Sequence, residues 1–270
     1  MATGDLVVGA DGELVIKVGL WALGKLAYIK RYCDIFNTAM KGRWANRAYI
    51  DLFSGTGRCL VEATMREVDG SPLVALNTKV PFTHYFFNDM DASAIESLRK
   101  RTAHMGFQSI TYFNKDCNGV IGNLLSLLPS SSLDFCFIDP TNWQISFESI
   151  RRLTEQRRMD LAITFHVGAI KRVTDNPPQE LLNFFPDSRW LNEYRKAREK
   201  GTRAGRVLLD SYERGLHEIG YIEIKDYVLA QNSKHVPLYH LIFASKNRLG
   251  GDFWDKIAVR SETGQLRMQI

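Results

Sequence analysis

The chain has 270 residues, of which 45% are hydrophobic and 24% are charged, and its formal net charge at pH 7 is +5. This composition is that of an ordinary globular protein with enough apolar side chains for a large core. No run of about 18 apolar residues is present, and the N-terminus lacks a basic and then apolar leader, so the sequence argues against membrane insertion and export and predicts a cytoplasmic protein. The basic balance permits a polyanionic partner without requiring one.

The cysteines argue against two classes of small stabilised domain. The chain has four of them, and they are far apart with no CxxC pair. The sequence therefore predicts neither a zinc site nor a disulfide framework. We expect reduced thiols in or near a core at Cys33, Cys59, Cys117 and Cys136.

The first predicted elements are a short hairpin and a long helix. The stretch "LVVGADGELVIKV" (residues 6–18) alternates around Asp11-Gly12, which indicates a hairpin, with a flexible arm as the alternative. Over residues 21–40 the apolar side chains recur with a helical period and one buried face. We expect residues 1–47 to form an N-terminal arm and helix.

Five short apolar strands then alternate with helical segments. Continuous apolar strands joined by helices indicate a parallel sheet that is covered on both faces. Near the C-terminus, "YIEIKDYVLA" and "PLYHLIFASK" alternate like an antiparallel pair at the edge of that sheet. The predicted strands are Ala48–Phe53, His84–Asp89, Ser109–Asp116, Leu133–Asp139 and Asp160–Val167.

These patterns predict one α/β domain over residues 48–270. Its expected fold is Rossmann-like, with a seven-stranded, mostly parallel sheet, an antiparallel edge and a basic helical insertion at about residues 176–216. In such a sheet a ligand binds beyond the carboxyl ends of the strands. One acid there is a common cap or loop residue, but several on one rim indicate a site. The predicted strands end near Asp51, Asp89, Asp116, Asp139 and His166.

The glycine turn after the first predicted strand narrows the class of ligand. Leu60 stands where a dinucleotide fingerprint has its third glycine, and no Gly-Lys-Ser/Thr follows, so the turn fits neither a dinucleotide nor a phosphate loop. A nicotinamide oxidoreductase is therefore disfavoured. Asp51 would repel a pyrophosphate but could accept a hydrogen bond from an ammonium group, such as that of S-adenosylmethionine. Gly55 and Gly57 let the backbone approach the ligand closely.

Three later positions suit the rest of such a ligand. Asp89 could accept both ribose hydroxyls, Met90 could pack on an adenine face, and Asp116 could accept the adenine amino group. The alternative is that Asp89 and Asp91 begin a helix and that Asp116 caps a turn. Together with the glycine turn, the set favours a nucleoside-type pocket. Downstream, Ser71 followed by Pro72 predicts an N-cap and first helical turn.

The chain resembles the three-Cys-motif partner (TcmP) proteins, a branch of the class I S-adenosylmethionine-dependent methyltransferase fold. The resemblance spans residues 21–254 and lies in the order of "DLFSGTG", "GSPLVAL", "FFNDMDASAIESLRKR", "FCFIDPTNW" and "YHLIFASKNRLGGDFW". It implies a separate three-Cys-motif partner of the iron-sulfur or radical type, and a reaction site at and after Asp139 and Pro140. It also implies an S-adenosylmethionine site formed by Asp51, Phe53, Gly55, Gly57, Asp89, Met90, Asp116 and Cys117.

The stretch "IDPTNW" leaves the reaction open. Amino-methyltransferases acting on bases place an acid or amide before Pro-Pro and an aromatic, so that the exocyclic amine is held while the ring stacks on the base. Asp139 and Pro140 fit this pattern, but Thr141 and Asn142 replace the next two residues and Trp143 lies one position late. A strand-ending turn with Trp143 packed on a neighbour is the alternative. Cytosine C5 methylation fits worse, because no cysteine follows Pro140.

His166 is a further candidate, because an imidazole titrates near neutral pH and could orient a substrate or accept a proton. A buried structural histidine is the alternative. We expect the catalytic set to be Asp139, Pro140, Trp143 and His166.

The predicted insertion carries a basic cluster with aromatic neighbours. Arg195, Arg198 and Arg203, near Trp190 and Tyr194, would suit phosphates and bases, and a solvated helix face is the alternative. The sequence thus predicts an S-adenosylmethionine-dependent methyltransferase that acts on nucleic acid, either RNA or DNA, with the amino group of a base favoured. The rival hypothesis is a weakly catalytic or non-catalytic subunit that works through the three-Cys-motif partner.

Overall fold

A computed structural model of the chain describes residues 5–106, 109–231 and 237–258. The strands are β1 (Leu6–Val8), β2 (Leu14–Val18), β3 (Arg47–Asp51), β4 (Arg58–Val61), β5 (Arg66–Asp69), β6 (His84–Asn88), β7 (Ile110–Phe113), β8 (Leu133–Ile138), β9 (Arg158–Phe165), β10 (Glu223–Gln231) and β11 (Pro237–Ser245). The helices are α1 (Trp21–Met40), α2 (Ser71–Leu76), α3 (Ala92–Thr102), α4 (Ile121–Leu127), α5 (Phe147–Thr154), α6 (Val167–Val173), α7 (Gln179–Phe184), α8 (Arg189–Glu199), α9 (Ala204–Glu218) and α10 (Arg248–Ala258).

The larger sheet confirms the predicted architecture. Its seven strands have the order β10-β11-β9-β8-β3-β6-β7. The five strands from β9 to β7 are parallel, β11 pairs antiparallel with β9, and β10 pairs antiparallel with β11. Every residue of the interior strand β3 is buried, as a strand covered on both faces requires.

Helices cover the sheet on both faces and enclose two apolar cores. One core combines α1, α2 and α10 with one face of the sheet, and the other combines α4 to α9 with the opposite face. In the first core Tyr32 of α1 packs against Trp254 of α10 with ring centroids 5.4 Å apart. The helix predicted over residues 21–40 is thus a structural layer of the α/β domain. No helix in the described ranges combines the length and apolar character that crossing a bilayer would need.

The predicted N-terminal hairpin is confirmed and belongs to a second sheet. β1 pairs antiparallel with β2, and the four-stranded sheet has the order β1-β2-β4-β5. β4 and β5 were not predicted, because both are four residues long and carry charged side chains. They form a hairpin between the glycine turn and α2, so the chain returns to the turn before the helix begins. Arg101 of α3 fastens this sheet, since its guanidinium donates to Asp11 and to the Leu14 and Thr56 carbonyls.

Two predicted boundaries are wrong by one or two residues. Gly70, not Ser71, is the N-cap of α2, and the Ser71 hydroxyl instead bonds the Asp51 carboxyl. The last parallel strand ends at Phe165, because His166 is already the N-cap of α6. The predicted insertion at about residues 176–216 corresponds to α7, α8 and most of α9. Residues 259–270 of the predicted domain lie outside the described ranges.

Candidate functional site

A cavity of about 550 Å³ lies at the carboxyl ends of the parallel strands. The glycine turn after β3, the residues after β6 and β7, and the loops after β8 and β9 contribute to its wall. The second sheet, α1 and β11 close the cavity from the other side. Those closing residues are Leu6, Ile16, Val18, Trp21, Lys25 and Tyr239.

The glycine turn has a left-handed backbone at Gly55 and Gly57, a conformation that residues with a Cβ atom rarely adopt. Gly55 and Gly57 have φ values of +56° and +82°. A Cβ atom on Gly57 would lie 2.7 Å from the Cδ1 of Leu98, and one on Gly55 would lie 2.5 Å from the Cδ1 of Ile16. The turn is therefore packed on both sides, and its backbone lines the cavity with no intervening side chain.

Asp89 connects the end of β6 to that turn. One carboxylate oxygen accepts the Gly55 N–H at 2.8 Å, and the other accepts the Asp91 N–H at 2.9 Å. Burial raises the pKa of Asp89, and these backbone donors act in the opposite direction. A carboxylate offers about four lone-pair sites, so capacity to accept ligand hydroxyls remains. Asp91 instead caps α3 by accepting the Ser93 and Ala94 N–H groups.

The neighbouring predicted residues also line the cavity. Met90 lines the cavity and has 53% of its surface exposed, so its side chain is accessible to a flat ligand. Asp116 caps a turn by accepting the Asn118 and Gly119 N–H groups at 2.9 and 3.2 Å, and it still faces the cavity. The turn-capping alternative is therefore confirmed for Asp116, and its contact with an adenine amino group stays a prediction. Phe53 and Cys117 line the cavity as well, and burial raises the pKa of the Cys117 thiol to about 12.

Asp51 differs from its predicted role. It is fully buried and lies outside the cavity lining, so it is not available for direct contact with a ligand ammonium group. Its carboxyl group bonds the Phe53 N–H at 3.2 Å and the Tyr49 hydroxyl at 3.4 Å. Burial raises its pKa to about 7. Asp51 shapes the turn from below, together with Ser71.

At the other end of the cavity, Asp139 forms an ion pair that was not predicted from the sequence. Its partner is Lys25 of α1, whose exposed fraction is 4%. The Lys25 ammonium also lies 4.4 Å from the centroid of the Trp21 ring. The available signal was the position of Lys25, because this lysine falls on the apolar face of a predicted amphipathic helix, four residues before the buried Ile29.

His166 faces the same end of the cavity. Its Nε2 is buried and has no hydrogen-bond partner in the described residues. Burial lowers the pKa of His166 to about 4; the Asp139 charge opposes that shift and the Lys25 charge adds to it. The imidazole is therefore neutral near pH 7. Pro140 and Thr141 also line the cavity.

Trp143 is not part of the cavity wall. Its partly buried ring packs against the core under α4 to α9, which is the alternative considered for it. Trp190 and Tyr194 are likewise buried, with 0% and 4% of their surface exposed, so neither can stack on a base.

The predicted cations of the insertion lie outside the cavity lining. Arg195 donates to the Thr174 and Asp175 carbonyls, and Arg198 pairs with the Asp175 carboxylate at 2.7 Å. These contacts hold α8 against the end of α6. Arg203 is exposed at the N-cap of α9.

No protein-family model and no curated protein matches this sequence. Solved structures share its fold: protein LPL1258 from Legionella pneumophila is 10% identical, with a TM-score of 0.53 over 90% of this chain and 94% of that one. An rRNA methylase from Streptococcus thermophilus is 9% identical, with a TM-score of 0.43 over 83% of this chain and 95% of that one. TYW2 from M. jannaschii, in complex with AdoMet, is 12% identical, with a TM-score of 0.43 over 90% and 85%.

The strand order and the antiparallel edge define the fold. The chain has an α/β fold with a seven-stranded, mostly parallel sheet and an antiparallel edge, and the LPL1258 structure shares this fold along nearly the whole length of both chains. At this level of identity the likeness concerns the fold alone. The function of the cavity depends on its own residues.

Proposed function

We propose that the protein is an S-adenosylmethionine-dependent methyltransferase. The observation that carries this proposal is that one cavity contains the glycine turn held by Asp89 at one end and the Asp139 carboxylate at the other. The cavity volume, about 550 Å³, falls in the range of roughly 300 to 1,000 Å³ that is typical of small-molecule sites.

The residues around the cavity fit that cofactor. The packed glycine turn gives close backbone approach, and the hydroxyl of Ser54, which lines the cavity, is buried without a partner in the described residues. Asp89 would accept the ribose hydroxyls, Met90 would cover the adenine, and Asp116 would accept its amino group. Phe53 and Cys117 would complete the apolar part of the wall.

When bound, S-adenosylmethionine supplies an electrophilic methyl group that a nucleophilic atom of the substrate accepts. The chain's own residues would orient that nucleophile. Asp139 can accept a hydrogen bond from an N–H or O–H group, and the neutral His166 offers Nε2 as a second acceptor. Both line the cavity on the side away from Met90 and Asp116.

For the substrate we propose a nucleic acid, with the amino group of a base as the methylated group. Asp139 and Pro140 support this choice, because they match the first part of the amine-holding pattern. The net charge of +5 and the exposed side chains of Lys196, Lys200 and Arg203 support a phosphate backbone as partner. RNA and DNA carry the same chemistry at these contacts.

A second candidate is a methyltransferase-fold subunit that works with a three-Cys-motif protein. The departure of "IDPTNW" from the amine-holding pattern favours it, since Trp143 packs into the core and no aromatic ring follows Pro140 at the expected position. In that case the cofactor cavity is retained while catalysis depends on the partner.

Two measurements test the proposal. S-adenosylhomocysteine should raise the melting temperature of the protein, and the absence of any shift would contradict the cofactor site. Labelled S-adenosylmethionine should then be incubated with total RNA, DNA and protein, with Asp139→Ala as the comparison. Transfer to nucleic acid that Asp139→Ala abolishes supports the enzyme. Cofactor binding without transfer, rescued by an added three-Cys-motif protein, supports the subunit.

A further inference from the structure

Five side chains at the Asp139 end of the cavity, Asp139, Lys25, Trp21, Tyr239 and His166, form a cluster that we call the ring. Lys25 pairs with Asp139 and lies 4.4 Å from the centre of the Trp21 ring. Trp21 stacks on Tyr239 with centroids 4.6 Å apart, and Tyr239 meets the edge of His166 at 4.8 Å. The charge of Asp139 and a hydrogen bond to the Pro140 backbone both raise the pKa of His166. The ring joins four parts of the chain, namely α1, β11 and the loops after β8 and β9.

Lys25 is the unusual member of this ring. A buried ammonium group is costly unless it is paired, and Asp139 supplies that pair while the Trp21 face supplies a cation–π contact. The ion pair stabilises the buried Lys25 ammonium group and also holds the Asp139 carboxylate in one orientation. One Asp139 oxygen faces Lys25, and the carboxylate retains sites for another donor.

We propose that Lys25 is a positioning residue that holds Asp139 toward the methyl-accepting group, and that the ring admits a flat, uncharged N–H or O–H group and rejects a cationic amine. This inference rests on the proposed function. The charge of Asp139 is already balanced by Lys25, so a second cation there would be repelled by a buried ammonium group. A neutral N–H or O–H group can instead donate to the Asp139 carboxylate and to the Nε2 of His166. The aromatic wall of Trp21 and Tyr239 favours a flat group.

The pKa of His166 depends on both Asp139 and Lys25, so it can be used to test their arrangement without any substrate. Burial lowers its pKa, Asp139 raises it, and Lys25 lowers it. Replacing Lys25 by methionine should therefore raise the pKa of His166, and Asp139→Asn should lower it further. A Lys25 ammonium group turned away from Asp139 and His166 would leave the titration unchanged.

The first experiment combines histidine NMR titrations with binding of S-adenosylhomocysteine. The variants are Lys25→Met, Lys25→Arg and, as the matched control on the exposed face of α1, Lys30→Met. We expect the pKa of His166 to rise in Lys25→Met alone, because only this variant removes the nearby cation that helps to lower it. Affinity for S-adenosylhomocysteine should stay within about threefold of wild type.

An unchanged His166 titration, or loss of S-adenosylhomocysteine binding in Lys25→Met, would overturn the positioning role. If Lys25→Met does not fold, Asp139→Asn tests whether the Asp139 carboxylate faces His166, as the positioning role requires, and a His166 pKa that fails to fall would overturn that role.

The second experiment probes selectivity in the protein saturated with S-adenosylhomocysteine. Adenosine is the neutral flat probe and spermidine is the cationic one. We expect adenosine to shift the Trp21 indole and His166 resonances and spermidine to leave them unchanged. A response to spermidine, or none to adenosine, would overturn the selectivity. If S-adenosylhomocysteine does not bind wild type at all, the proposed function itself fails, so the two failures are distinguishable.

Discussion

The Asp89 carboxylate accepts the backbone N–H of Gly55 at 2.8 Å and so joins the end of β6 to the glycine turn after β3. The same carboxylate lines the cavity, where it would meet the ribose of a bound nucleoside. One side chain therefore supports the turn and faces the cavity. Asp89 therefore does more than precede the helix α3, which Asp91 caps.

Asp89→Ala should abolish the rise in melting temperature that S-adenosylhomocysteine produces in wild type. The substitution removes the proposed ribose acceptor and leaves the Gly55 N–H unpaired. Asp91→Ala is the matched control, because that neighbouring acid caps α3; it should lower stability by about 1 kcal/mol and keep the ligand-induced shift. An equal ligand response in both variants would contradict the role of Asp89.

Asp51→Asn should change how stability depends on pH. Burial raises the pKa of Asp51 from 3.8 to about 7, so the folded state holds this proton more tightly than the unfolded state does. Between those values the unfolded chain binds fewer protons, and wild-type stability falls as pH rises, by about 1.4 kcal/mol per unit of pKa shift. Stability from this group is therefore complete below about pH 4 and lost by about pH 7.

The asparagine variant lacks that slope and should gain stability over wild type as the pH rises toward 8. Urea unfolding of both proteins at several pH values measures the difference, which isolates Asp51 from the other acids. Parallel curves would show that Asp51 does not titrate in this window.

Gly57→Ala should destabilise the protein by about 1 to 3 kcal/mol, because the added Cβ meets a left-handed backbone and an occupied site. The φ of Gly57 is +82°, and the nearest side-chain atom to such a Cβ is 2.7 Å away. Gly122→Ala is the control: this glycine lies in α4, nothing lies within 4 Å of its Cβ position, and alanine should stabilise the helix by up to about 1 kcal/mol. Chemical denaturation separates the two. A neutral Gly57→Ala would mean that the turn can relax.

The strands of the larger sheet could be predicted from the sequence because each strand has a recognisable pattern within a few consecutive residues. Four buried strands and the half-buried β7 produce short apolar runs, and β10 and β11 alternate clearly, so the antiparallel edge could be predicted. The glycine turn and the acids at the strand ends could be placed on one rim, because parallel strands end on the same side of a sheet. Asp89, Asp116 and Asp139 all line the cavity, as that argument requires.

What the sequence did not reveal depends on contacts between distant segments. The ion pair joins Lys25 and Asp139 across 114 positions, and no local pattern links the two. Asp51 has the same strand-end signature as Asp89, yet it is buried because its carboxyl group faces Tyr49 and Ser71 beneath the turn. The aromatic side chains of the insertion looked available for stacking, but a helical period alone does not tell which face is covered.

The last prediction concerns the proposed nucleic-acid surface. Within the described residues, Lys196, Lys200 and Arg203 are exposed and form no ion pair, whereas Arg195 and Arg198 are engaged at Thr174 and Asp175. Changing the three exposed cations to Glu should weaken RNA or DNA binding and reduce the slope of log affinity against log salt by about 2 to 3, since each lost phosphate contact contributes about 0.9.

The control applies the same change of charge at the opposite edge of the sheet, with Lys41, Arg43 and Lys79 converted to Glu. These residues are exposed near the amino ends of β3 and β6, away from the cavity. Fluorescence anisotropy with a labelled oligonucleotide, measured over a range of salt concentrations, compares the two triple variants. Because only contacts at the binding surface release counterions, the control should keep most of the wild-type slope. Equal losses in both variants would show that binding follows net charge and that the α8 surface has no special role.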